Sequence, residues 1–114
     1  MIASLGKIVV TASGTPVRAT SNLSDPTARI GAQSIRFTVV PANTGLIYIG
    51  LSNMNISTGV GVLDVLPVPA SATSGPFAST DLAQVVIPAG LNPADIYIDT
   101  SHSGDGVYGA YTQG

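Results

Sequence analysis

The chain has no Glu, no Cys and no Trp, and only one Lys. Without Cys there is no disulfide framework and no thiolate metal site, so stability must come from packing and association. Charged residues fill 9% of the 114 positions, against about 25% in an average soluble domain. Apolar residues fill 45%, and the mean hydropathy is positive. A domain of this length still exposes a large surface, which so few charges cannot cover. Ser, Thr, Asn, Gly and apolar side chains must cover it, and a near-neutral apolar surface favours association. The composition fits a subunit whose sides are buried in an assembly.

Long hydrophobic runs are missing too. The longest lie near Leu46-Ile47-Tyr48-Ile49, far short of the roughly 18 residues a spanning helix needs. Residues 1–6 carry no basic stretch, and Lys7 interrupts before Ile8-Val9-Val10, so the start does not read as a signal peptide. The apolar content is therefore expected in a core and in interfaces, with no membrane partner. The basic residues Lys7, Arg18, Arg29 and Arg36 all lie in the first 36 positions, opposed only by Asp25, and the remainder holds five Asp and no Lys or Arg. Four scattered cations do not make a nucleic-acid interface. Their segregation allows a dipolar subunit with a weakly basic face, although strands that interleave in space need not preserve it.

What the chain does have is punctuation. Gly or Pro recurs every 8 to 15 residues between β-rich runs, the spacing of an all-β sandwich or barrel. About eight strands are expected, over 7–11, 15–20, 34–40, 46–50, 59–66, 82–87, 95–99 and 107–112. Strand 34–40 is the clearest: Ile35, Phe37 and Val39 alternate with Ser34, Arg36 and Thr38. The turn Pro41-Ala42-Asn43-Thr44-Gly45 suggests that 46–50 pairs back on it as a hairpin, and Ser13-Gly14 would join the first two strands. Runs 46–50 and 95–99 are apolar on both faces, which suits central or interface strands. They also echo each other, as Ile47-Tyr48-Ile49-Gly50 and Ile96-Tyr97-Ile98-Asp99. Segments 25–32 and 89–94 could hold a helical turn at most. Segment 67–80 reads as a long loop or extended arm, of the kind that is functional or ordered by a partner.

Catalysis needs convergent polar groups with tuned proton affinities. The single His, His102, lies in the polar loop Thr100-Ser101-His102-Ser103-Gly104, where a lone His is usually solvated. No nucleophile elbow precedes a helix, so no catalytic residue is assigned and the chain reads as no enzyme. Asp99-x-Ser101-x-Ser103-Gly104-Asp105-Gly106 places oxygens at alternate positions, as calcium loops do. Ala110 stands where the bidentate acid should be, which leaves a turn whose Asp and Ser bond their own backbone as the simpler reading. No metal or cofactor is assigned. Gly59-Val60-Gly61 and Gly104-Asp105-Gly106 lack the following Lys and helix of a phosphate loop, and fit bulges or close backbone approach instead. Tyr48, Tyr97, Tyr108 and Tyr111 are candidates for a sugar platform or for protein interfaces.

Part of the chain resembles small virion structural proteins of tailed bacteriophages. The residues that carry the likeness are Pro41-Ala42-Asn43-Thr44-Gly45-Leu46-Ile47-Tyr48-Ile49-Gly50, then Ser52-Asn53-Met54-Asn55, Ser57-Thr58-Gly59-Val60-Gly61 and Leu66-Pro67-Val68-Pro69. Ala94-Asp95-Ile96-Tyr97-Ile98-Asp99 and Gly104-Asp105-Gly106-Val107 complete it, so that it spans roughly residues 34 to 112. The length gives a single domain over 1–114; the resemblance implies a jelly-roll-like β-sandwich and does not clearly match 1–33, which is expected to be an N-terminal arm plus the first strands. It implies a capsid decoration (cement) protein on the exterior of the virion, commonly trimeric, bound to the major capsid protein. A head-fibre or tail-associated subunit, and a carbohydrate-binding module for host attachment, are the alternatives. On this view Lys7, Arg18 and Arg29 meet an acidic capsid surface, Tyr48 and Tyr97 lie in contacts with partners, and the Asp-bearing loops face solvent.

Overall fold

The computed structural model describes residues 2–27, 29–68, 84–88 and 92–113. Eight strands occur among them: β1 (Ile2–Val9), β2 (Val17–Arg18), β3 (Ala32–Val39), β4 (Ile47–Gly50), β5 (Val62–Leu66), β6 (Gln84–Pro88), β7 (Tyr97–Thr100) and β8 (Gly106–Gln113). They form two four-stranded antiparallel sheets. The front sheet has the order β1-β8-β3-β6 and the back sheet β2-β7-β4-β5. The chain is an all-β sandwich of eight strands. Where the sequence suggested a turn of helix, residues 25–27 form a turn and Ala32 opens β3; among the described residues only a short 3-10 turn, Pro93–Asp95, is helical. The arm expected over 67–80 lies outside the described residues beyond Val68.

The hairpin expected between 34–40 and 46–50 does not form, while Ser13-Gly14 does join the first two strands. β3 lies in the front sheet and β4 in the back sheet, so the turn at residues 41–45 carries the chain from one layer to the other. The turn around Ser13-Gly14 does the same between β1 and β2. Alternation within a strand fixes which face is buried, but it says nothing about which neighbour the strand will find. The pairs that do form are nested: β4 with β5, β3 with β6, β2 with β7 and β1 with β8. The two echoing segments are neighbours at the centre of the back sheet, with Ile49 opposite Ile98 and Tyr48 opposite Asp99.

The core lies between the sheets and is built almost wholly from β-branched residues around one aromatic. Phe37, Ile35 and Val39 of β3 meet Ile47 and Ile49 of β4, Ile98 of β7, and Ile96 just before it, all essentially without solvent exposure. Such side chains pack well on pleated surfaces and lose little further rotamer freedom there.

β1 departs from strict alternation. Leu5 and Ile8, three residues apart, both face the core, because the register shifts between Ser4 and Gly6. Gly6 has φ of +78°, a conformation that glycine adopts without steric cost. Asn22 Nδ2 donates to the carbonyls of Leu5 and Lys7 at 3.2 and 2.9 Å, holding the bulge shut. Residues 59–61, expected within a strand, form a turn instead, with φ of +81° at Gly59 and +74° at Gly61.

Candidate functional site

The back sheet gathers the densest group of polar side chains. Arg18 and Tyr97 stand directly opposite each other on β2 and β7. The guanidinium donates from Nε and Nη2 to the Tyr97 phenol oxygen at 3.1 and 2.8 Å, and its carbon lies 5.4 Å from the ring centroid. Nη1 reaches the Pro26 carbonyl at 3.5 Å, and Thr20 donates to the same carbonyl, so the turn after β2 is tied beneath the Arg. Asn92 initiates the Pro93–Asp95 turn by accepting from Ala94 N, which sets Asp95 beside this pair. Arg18, Tyr97 and Asp95, with Leu51, Ser52 and Asn53, line a groove of about 330 Å³. Arg29 approaches Asp95 at 3.9 Å, with both side chains largely in water, where such a pair contributes little.

Of the residues singled out from sequence, the structure therefore brings Arg18, Tyr97 and, through Asp95, Arg29 to one edge of the back sheet. Tyr48, half-buried on β4, lies on the same sheet, between Asp99 and Val65 of its neighbours. Lys7 stands apart, exposed on β1 of the front sheet and opposite Tyr108. Arg36, which sequence reasoning did not select, shares that front face. The alternation in strand 34–40 already set it opposite Ile35 and Phe37; the missing information was the long-range pairing of β3 with β8 and of β8 with β1.

A second polar group closes one end of the sandwich. The Asp105 carboxylate is buried and accepts from Gly45 N at 2.6 Å and Thr44 N at 3.0 Å. Asp99, also buried, accepts from Gly14 N at 3.0 Å and Thr100 N at 2.8 Å. Ser101 Oγ takes the amide of Leu46, and Ser103 Oγ that of Ser13. Asn43 pairs both ways with the Gly106 backbone, at 2.7 and 3.0 Å. The alternate oxygens of 99–105 thus diverge toward separate loops instead of converging on a cation. Among the described residues there is no group of three His, Cys, Asp or Glu that could hold a metal ion. The expectation that the Asp-bearing loops face solvent is corrected for Asp99 and Asp105, whose buried carboxylates are drawn inward by the loop amides of Gly14, Thr44 and Gly45. His102 stays largely exposed, 3.8 Å from Asp105.

What these arrangements can do is hold and position. The end cluster spends its acceptors on backbone amides, and the Arg18 guanidinium is committed to a phenol and a carbonyl. Compared with family models, curated proteins and solved structures, the chain matches none.

Proposed function

We propose that the protein is a non-enzymatic structural protein of a tailed-bacteriophage virion, a capsid decoration subunit that stabilises the head from its exterior and acts as a homotrimer. The observation that carries this reading is that the sandwich, once folded, still leaves several large apolar side chains outside. Ile2 is 73% exposed, Val86 58% and Val60 55%. Leu63, Val65 and Val68 on and after β5 are also exposed, and so is Tyr108. With so few charges, this surface suits a subunit whose sides meet neighbours. Among the described strands β5 is an edge of its sheet, and exposed Leu63 and Val65 on it fit contact between copies of the chain. The nested pairing of first strand with last, second with seventh and so on supports a jelly-roll winding, common in capsid proteins. The likeness over residues 34 to 112 points the same way.

The sugar-platform alternative wants exposed, coplanar Tyr rings in a groove. Tyr97 is instead covered by Arg18, Tyr48 is half-buried on the same sheet, and Tyr108 belongs to the other sheet. The test is to add the purified protein to undecorated shells of the virus whose genome encodes it. Copies at regular lattice positions by cryo-electron microscopy, together with a raised shell-disruption temperature, are expected; shells left bare would overturn the reading. Light scattering should give about 34 kDa, three times the 11.4 kDa chain.

A further inference from the structure

We infer that the outer face of the front sheet is the docking surface, and that it takes a flat, acidic protein surface with an apolar side chain seated over Ala110. The partner's identity as the capsid shell rests on the reading above; the choice of face does not.

The register lays the outward side chains in rows. Lys7, Tyr108 and Thr38 form one row across β1, β8 and β3. Ser4, Ala110, Arg36 and Val86 form the next, reaching β6. Successive rows on one face lie about 7 Å apart. Lys7 and Arg36 thus stand in adjacent rows, with the exposed Tyr108 and the small Ala110 between them. A depression of about 120 Å³ lies over Ala110, walled by Ile2, Arg36, Val86 and Thr112, and it is large enough for one aliphatic side chain.

Charge chooses the occupant. The four front strands contain two cations and no acid at all. Neither Lys7 nor Arg36 forms an ion pair among the described residues. A second copy offering the same face would set like charges together. Two cations are also too few to hold a nucleic-acid backbone. A carboxylate-bearing protein surface satisfies both cations while covering Ile2, Val86 and Tyr108. Four strands of up to eight residues give a face of about 26 by 19 Å, roughly 500 Å². That is below the roughly 800 Å² per partner of a stable interface, so the contact is weak singly and becomes firm by repetition in a multimer. Arg18 and Arg29, by contrast, already have partners in Tyr97 and Asp95.

Two probes test the assignment. The first is a mixed monolayer of methyl- and carboxylate-terminated alkanethiols, flat, apolar and acidic, read by surface plasmon resonance. The second is the undecorated shell. Charge reversal with K7D/R36D should weaken binding to each at least tenfold, R29D should stay within twofold, and radical footprinting should show Tyr108 protected and Tyr97 not. The neutral pair K7Q/R36Q, with unchanged thermal unfolding, should show a smaller loss of the same kind. Retention by K7D/R36D, or an equal loss in R29D, would overturn the assignment. Self-association abolished by K7D/R36D would also overturn it, in favour of a second copy as occupant. Binding to the monolayer through Tyr108 with no binding to shells would uphold the face and sink the decoration reading.

Discussion

Both sheets give β-branched side chains to one core, but their outer faces are finished differently. On the back sheet, loops close over the strands. The turn at residues 51–61 lies against Gly50, where an added Cβ would run into the Gly61 carbonyl and come within 2.8 Å of the Met54 sulfur. The turn after β1 donates to Asp99 through Gly14, and Arg18 lies over Tyr97. On the front sheet Ile2, Lys7, Arg36, Val86 and Tyr108 stand exposed. Around β7 and β4 the back sheet completes its polar contacts within the chain, while its edge strand β5 leaves Leu63 and Val65 exposed. The front sheet leaves Lys7 and Arg36 without ion pairs among the described residues, beside exposed Ile2, Val86 and Tyr108, and this difference is what carries the proposed docking face.

The sharpest way to break the comparison is to enlarge the residue at the middle of each outer face. Gly50→Val should cost about 3 kcal/mol, because the covering turn must move; Ala110→Val on the open face should change stability by less than about 0.5 kcal/mol. Equal costs in denaturant unfolding would mean that both faces are equally covered. Asp105→Ala should cost about 2 kcal/mol by stranding the Thr44 and Gly45 amides, and hydrogen exchange should quicken at those two residues first. Asn22→Ala releases the two carbonyls at the β1 bulge and should cost about 1 kcal/mol, seen as a lower midpoint with the same denaturant slope. Arg29→Gln should be nearly silent, within about 0.5 kcal/mol; a larger drop at low salt would show that the Arg29–Asp95 pair contributes more than its exposure suggests.

Much of this architecture could be read from residue order. Strict alternation in 34–40 placed Phe37 inside and Arg36 outside, and the two-faced apolar runs at Ile47-Tyr48-Ile49 and Ile96-Tyr97-Ile98 became central strands. The start of β1 escaped because its bulge breaks the period of two, so Leu5 and Ile8 do not look like one face. The hairpin expected at 41–45 did not form because a five-residue turn can either reverse a strand within a sheet or carry it across the sandwich. Of the candidate site, the types of residue were visible and their grouping was not. Arg18 meets Tyr97 across 79 positions, and Lys7 shares a face with Arg36 only through β8. Asp99 and Asp105 looked like surface acids because sequence does not show which amides a loop leaves without partners.

The pairing of β1 with β8 also sets a schedule. Ile2 lies opposite Thr112 and Val9 opposite Gly106, so β1 is synthesised long before its partner and cannot be matched until β8 has followed. A ring this wide closes slowly, because its entropy cost comes before any contact rewards it. During that wait the segment 2–9 is an unpaired apolar strand, the species most prone to stick to its neighbours. In a cell making many copies at once, yield should therefore depend on how quickly synthesis passes from β1 to β8, and slowing translation between the two strands should cost more soluble protein than slowing it before β1.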